Sequence, residues 1–202
     1  MKTLHKLDVS ELPEYAFGHR SIMWWGTMGI VLIEGTMFVA LLGTYYYLRS
    51  QSTGWPPESP PPDLWFGTIN TVILLASCVP NHLYKKAAER EDLRGVRIWL
   101  VVAVLFALAF VAIRVFEFRT LNCRWSDNAY ASTIWTLLGF HTAHLVTDLL
   151  DTLVLTVLMF TGPLKGRRFV DVAENGMYWY FVVWAWLPIY ATIYLVSRGG
   201  GV

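Results

Sequence analysis

The stretch IWLVVAVLFALAFVAIRVFEF (98–118) decides the fold class of this chain. Crossing the hydrocarbon core of a bilayer takes about 20 residues of α-helix, and this stretch has 21. Arg114 and Glu117 are its two ionisable residues, and both lie near its end. The stretch is therefore predicted to be a transmembrane helix.

Four further apolar segments of comparable length lie on either side of it. The predicted spans are residues 22–48, 65–84, 98–118, 129–160 and 177–196. The chain is 55% hydrophobic and 15% aromatic, and its mean hydropathy of +0.43 is high for a soluble domain of this length. These features predict an all-α membrane protein with a single domain, residues 21–202, built as a bundle of five transmembrane helices. A polar segment, residues 1–20, precedes it.

The distribution of positive charge predicts the orientation of the bundle. The N-terminus and the loops on its side of the membrane carry eleven Lys and Arg residues, whereas the opposite side carries four. Because Lys and Arg collect in cytoplasmic loops, the N-terminus is predicted inside and the C-terminus outside, with residues 1–20 in the cytoplasm. The formal net charge of +1 indicates no nucleic-acid partner.

Several ionisable residues nevertheless fall within the predicted spans. Each costs about 2.5–3.5 kcal/mol to insert, so such residues usually face protein, water or a partner. Glu34 lies close to the bilayer midplane, and Arg114 and Glu117 are spaced so that they can pair on one helix face. The candidate intramembrane polar residues, at a subunit interface or linked to lipid, are Glu34, Arg114, Glu117, His141, His144, Asp148 and Asp151.

Four of these residues come from one stretch, GFHTAHLVTDLLDT (139–152). At about 100° per residue they fall within an arc of about 80° on one helix face, and Tyr130 and Thr133 extend the same stripe. This polar face can be a seam between helices, a metal site or part of a proton path.

A metal site on this face has few ligands available. The HxxH spacing of His141 and His144 suits zinc or iron, but these are the only two of the five histidines in the predicted membrane region. A ferritin-like site needs an ExxH pair on each of two helices, and bis-histidine haem ligation needs histidines on two helices. A helix seam and a proton-linked role for Glu34, Asp148 and Asp151 both stay open.

The polar motifs, taken in order, resemble subunit III of the haem–copper cytochrome c oxidases. Glu117 and Asp127 are separated by nine residues, and the aspartate opens a D-x-x-Y-x-S-T motif, as in that family. The resemblance runs from about Ser21 to Leu195. The matching stretches are WWG (24–26), IEGTMFVALLGTYYYLR (33–49), WPP (55–57), INTVILLAS (69–77), DNAYAST (127–133), LLGFHTAH (137–144) and MYWYFVVWAW (177–186).

The resemblance implies a non-catalytic subunit in the cytoplasmic membrane of a bacterium. Such a subunit binds no haem, copper or other metal itself; haem and copper belong to partner subunits, the catalytic subunit I and subunit II of a terminal oxidase. It stabilises the catalytic subunit, binds phospholipids and supports proton uptake during oxygen reduction. In the family Glu34, His141 and His144 correspond to positions of intramembrane hydrogen bonding. Membership of a larger respiratory supercomplex stays open.

The chain also departs from the family pattern. It lacks the first two of the seven spans that many members have, and Tyr180 and Val183 replace a histidine and an aspartate in the last span. One hypothesis is that Asp148 and Asp151, which are outside the usual pattern, act with Arg114 to replace lost polar contacts. Two alternative functions follow: an accessory subunit of a nitric oxide reductase, and a stand-alone membrane metalloenzyme using His141 and His144.

Overall fold

The computed structural model describes residues 15–57, 60–162 and 166–198 of the chain. This part contains five helices that are long and apolar enough to cross a bilayer, so the predicted all-helical bundle of five spans is confirmed. Most of the predicted N-terminal segment, residues 1–14, lies outside the described residues. The helices are α1 (Ile22–Gln51), α2 (Leu64–Glu89), α3 (Leu93–Arg119), α4 (Ala129–Thr161) and α5 (Gly166–Tyr190).

Polar side chains cap three of the helix starts. Ser21, Asp92 and Asn128 accept hydrogen bonds from the backbone N–H groups of Met23, Gly95 and Ala131, respectively. Each cap satisfies one of the backbone donors that the first helical turn leaves without a partner. The sequence therefore marks where α1, α3 and α4 begin independently of their hydrophobicity.

The two ends of the bundle are closed by different contacts. At the N-terminal end, the Tyr15 hydroxyl donates to Glu91 in the turn between α2 and α3 at 2.7 Å. At the opposite end, Trp55 is buried against the rings of Tyr45 and Tyr130. Because α1 and α5 both begin at the N-terminal end, α2 and α4 run towards it.

The core lies mainly among α2, α3, α4 and α5, whereas α1 is only partly covered. Within α1, every residue of which is described, the two buried side chains are Phe38 and Tyr45. Large apolar side chains elsewhere on α1, such as Ile33 at 70% exposed, face outward. This arrangement leaves the first half of α1 separated from α4 and α5 by an open crevice.

The last helix is longer than its apolar run and changes form near its end. It begins at Gly166, before the predicted span at 177–196, because its polar first turns face neighbouring helices. Pro188 has no N–H to donate within the helix. The α-helix ends at Tyr190 and continues as a π-helical turn, Ala191–Leu195, and a 3₁₀ turn, Val196–Arg198.

Candidate functional site

A buried ion pair lies at the centre of the first polar group. Arg114 and Glu117 of α3 contact each other at 2.9 Å between Nη1 and Oε2, with side chains 1% and 0% exposed. Glu117 also accepts hydrogen bonds from the Asn70 side chain of α2 and from the Tyr194 hydroxyl. We call these four residues, together with His141, the ion-pair cluster.

Two aromatic rings cover the guanidinium of Arg114. Its Cζ lies 4.6 Å from the centre of the Phe110 ring and 4.2 Å from that of Trp186. A cation over an aromatic face is attracted by the ring quadrupole, most strongly where water is excluded. The ion pair and the two rings together compensate part of the cost of burying the positive charge.

The hydrogen bonds of His141 determine its tautomer. Its Nδ1 lies 3.4 Å from Nη2 of Arg114, a group that can only donate, so Nδ1 must accept. Its Nε2 lies 3.1 Å from the Val182 carbonyl and therefore carries the proton. Both ring nitrogens are engaged by protein groups, and the ring is 0% exposed.

His144, one turn further along α4, contacts a different partner. Its Nδ1 donates to the Phe140 carbonyl at 2.6 Å, which leaves Nε2 directed at Glu34 of α1, 3.6 Å away. The Tyr178 hydroxyl donates to the same Glu34 oxygen at 2.6 Å. Glu34 is thus held between α4 and α5, within reach of one imidazole and one phenol.

Asn175 of α5 connects the two aspartates of α4. Its amide nitrogen donates to Asp151 at 3.0 Å and, in a longer contact of 3.5 Å, to Asp148. Its carbonyl oxygen accepts from the Tyr84 hydroxyl of α2 at 3.0 Å. A single amide therefore ties α2, α4 and α5 together beside the two carboxyl groups.

These residues line one wall of a crevice between α1, α4 and α5. Its volume is about 610 Å³, and its lining contains no Lys or Arg among the described residues. We call it the acidic crevice, after its five carboxyl groups. They belong to Glu34, Asp148, Asp151, Asp171 and Glu174.

The predicted polar face of α4 is divided between separate groups. His141 belongs to the ion-pair cluster, whereas His144, Asp148 and Asp151 face Glu34 or Asn175. The hypothesis that Arg114 acts together with Asp148 and Asp151 is not supported by these contacts, because Arg114 contacts Glu117 and His141 instead. One sequence stripe thus serves two sites, because successive turns of α4 meet different helices.

The two departures in the last span also have different surroundings. Val183, in the position of the family aspartate, is buried in the core at 2% exposed. Tyr180, in the position of the family histidine, lies 3.4 Å from His82 of α2 through its hydroxyl. Neither residue lines the acidic crevice.

Several members of these groups were missed from the sequence. Asn70, Asn175, Tyr178 and Tyr194 are neutral and carry no insertion penalty large enough to draw attention. Glu174 was placed outside the predicted fifth span, yet it lies within α5 and is 6% exposed. A search for Asn and Tyr within apolar runs would have found part of this set, since such groups need partners in lipid.

Among the residues that the structure describes, no group of three or more His, Cys, Asp or Glu side chains is arranged to hold a metal ion. Five apolar helices whose interior polar groups bond to one another define the class: a multi-pass helical membrane protein. The sequence model of cytochrome c oxidase subunit III matches residues 14–198. The chain therefore belongs to the cytochrome c oxidase subunit III family, as the sequence motifs predict.

Individual relatives agree with this membership. The chain is 29% identical over 188 residues to cytochrome c oxidase subunit 3 of Thermostichus vulcanus, which is 92% of each chain. It is 29% identical over 175 residues to the probable cytochrome c oxidase subunit 3 of Nocardia farcinica, covering 85% of this chain and 86% of that one. A heme-copper oxidase subunit I+III of Aeropyrum pernix is 27% identical over 187 residues, 88% of this chain and 22% of that protein.

Proposed function

We propose that this chain is the non-catalytic subunit III of a bacterial respiratory haem–copper terminal oxidase. It packs against the catalytic subunit I in a complex that also contains subunit II, stabilises that subunit and supports its proton uptake while oxygen is reduced. The observation that carries the proposal is the family match over residues 14–198. The relative in which subunits I and III form one protein also supports a close association with subunit I.

We propose that haem and copper reside in the partner subunits and that this chain binds none of them. In support, both nitrogens of His141 are bonded to Val182 and Arg114, and Nδ1 of His144 is bonded to Phe140. A histidine that ligates a metal must offer one free nitrogen lone pair to it. The two intramembrane histidines instead serve hydrogen bonds within the bundle.

The polar residues of the spans are proposed to act through protein contacts and lipid. Arg114, Glu117 and His141 would fix the helices that face the partner subunit, and Glu34, His144, Asp148 and Asp151 would serve the proton-linked role. Phospholipids would cover the outward apolar surface, such as that of α1. The proposed location is the bacterial cytoplasmic membrane, with the N-terminal end of the bundle inside.

Purification through an affinity tag on this chain, in mild detergent, tests the assignment. Mass spectrometry and an absorption spectrum of the product should reveal a large, histidine-rich partner with haem. Recovery of the chain alone would contradict the proposal.

Two other functions are separated by the same preparation. A nitric oxide reductase partner, which the replaced residues Tyr180 and Val183 keep open, would be recognised by reduction of nitric oxide instead of oxygen. A stand-alone metalloenzyme would carry stoichiometric iron, copper or zinc without any partner.

A further inference from the structure

The acidic crevice follows the first half of α1 from the N-terminal end of the bundle to Glu34. On α1 it is lined by Met23, Thr27, Ile30 and Glu34, which recur on one helix face. Above Glu34 the crevice closes, because Phe38 is buried and its ring packs on Phe181 at 6.4 Å. The crevice therefore has a mouth at the N-terminal end and an inner end at Glu34.

Polar groups recur along the crevice between its mouth and its inner end. Asp171 lies nearest the mouth, and Tyr178 lies two helical turns further along α5, or roughly 10 Å at 1.5 Å per residue. Because α4 runs in the opposite direction, Asp151 lies nearer the mouth than Asp148. The carboxyl groups thus form a graded series instead of a single compact cluster.

One of these carboxyl groups has an oxygen without a partner. Glu174 lines the crevice and is 6% exposed, yet its Oε2 makes no hydrogen bond to any described residue. A buried polar atom without a partner costs free energy, so such atoms usually bind water or an ion. The crevice is large enough for water, and its acidic lining would favour a cation over an anion.

We propose that the acidic crevice is an aqueous, cation-selective inlet that carries protons from the N-terminal end of the bundle to Glu34. A hydronium ion entering the crevice transfers its proton to a carboxylate oxygen and leaves as water. Asp151, Glu174 and Asp148 then pass protons inward through water, and Glu34 receives them. The inference deepens the proton-linked role under the proposed function and rests on it.

The charged and titratable groups around the inlet are consistent with this direction. Arg168 acts on Asp171 at the mouth, and Lys85 and Glu89 of α2 act on Glu174 from the opposite side. At the inner end, Glu34 faces His144 of α4 and Tyr178 of α5.

Access is tested with the Thr27→Cys variant in the intact complex. Cys78 is replaced by Ala and Cys123 by Ser to remove the native thiols. Two water-soluble methanethiosulfonates, one cationic (trimethylammonium) and one anionic (sulfonate), are compared after normalising to their rates with a small thiol. The matched control, Thr36→Cys, lies on an exposed part of α1 outside the crevice.

The cationic reagent should modify Thr27→Cys about tenfold faster than the anionic one, because a cleft of one charge sign concentrates counter-ions by this factor or more. Adding Asp151→Asn and Glu174→Gln should remove most of that preference. Thr36→Cys should react slowly with both. Equal rates at Thr27→Cys, or modification only by a lipid-soluble maleimide, would overturn the inlet.

Proton delivery is tested separately with Glu34→Cys in proteoliposomes. The thiolate reacts with neutral methyl methanethiosulfonate, so its rate follows the pH to which position 34 is connected. With different pH inside and outside, the rate should follow the compartment at the N-terminal end. A rate that follows the opposite compartment, or neither, would overturn the proposal. A complex that still copurifies with its haem subunit in that case would leave the proposed function intact.

Discussion

Arg114 and Glu117 lie one turn apart in α3 and form an ion pair of 2.9 Å that is closed to solvent. The pair is held from three sides, by Asn70 of α2, by His141 of α4 and by Tyr194 after α5. Since each charge is buried, the loss of one partner leaves the other uncompensated. This pair therefore joins four of the five helices.

Glu117→Gln tests the importance of the ion pair. The variant keeps the size of the side chain but leaves the Arg114 charge without its counter-charge. We expect a loss of about 3–5 kcal/mol in the free energy of unfolding, measured as a lower melting temperature of the purified complex and loss of this chain from it. The control Glu89→Gln removes a half-exposed pair with Lys85, which contributes at most about 1 kcal/mol. Equal stability of the two variants would contradict the account.

Gly67→Ala tests the close approach of α2 to Tyr194. A Cβ at position 67 would fall inside the van der Waals radius of the Tyr194 ring, which is 1% exposed and donates to Glu117. We expect the variant to lower the thermal stability of the chain. Gly29→Ala has open space around the added methyl group, so it should be neutral or stabilising by up to about 1 kcal/mol. The same loss at both positions would argue against this packing.

Tyr84→Phe removes the donor that α2 gives to Asn175. The hydroxyl is buried, and its hydrogen bond at 3.0 Å orients the amide towards Asp151. We expect a loss of about 1 kcal/mol, seen in thermal unfolding. Tyr47→Phe, at a ring that is 64% exposed, should change stability little. If the two variants are indistinguishable, Asn175 does not connect α2 to α4.

The predicted orientation can be tested with two single cysteines. Glu91→Cys lies at the N-terminal end and Thr53→Cys at the opposite end, and both positions are exposed. A membrane-impermeant maleimide should label Thr53→Cys in intact spheroplasts but Glu91→Cys only after permeabilisation. Burial raises the pKa of the native Cys123 thiol, which slows its background labelling. The reverse labelling pattern would invert the bundle.

The length and periodicity of the apolar runs were sufficient to predict five helices, because a bilayer demands one kind of segment. The same reasoning singled out Glu34, Arg114 and Glu117, because charges in lipid are costly. It could not predict that His141 and Asp148, on one stripe of α4, have different partners. That outcome depends on where α3, α5 and α1 contact successive turns of α4, which the sequence of α4 does not contain.

The acidic crevice was beyond prediction for a related reason. Asp171, Glu174 and Asn175 lie before the apolar run of the fifth span, where polar residues normally indicate a loop. They become part of an intramembrane site because α5 begins early and because α1 packs closely only from Phe38 onward.

The central claim is that the intramembrane histidines and acids of this chain bond to protein neighbours and water and hold no cofactor. The most direct test is to separate this chain gently from its purified complex and measure metal and haem in both fractions. Haem and copper should stay with the partner subunits, and the separated chain should contain less than stoichiometric iron, copper or zinc. Stoichiometric metal on the separated chain, lost on replacing His141 or His144, would contradict the account.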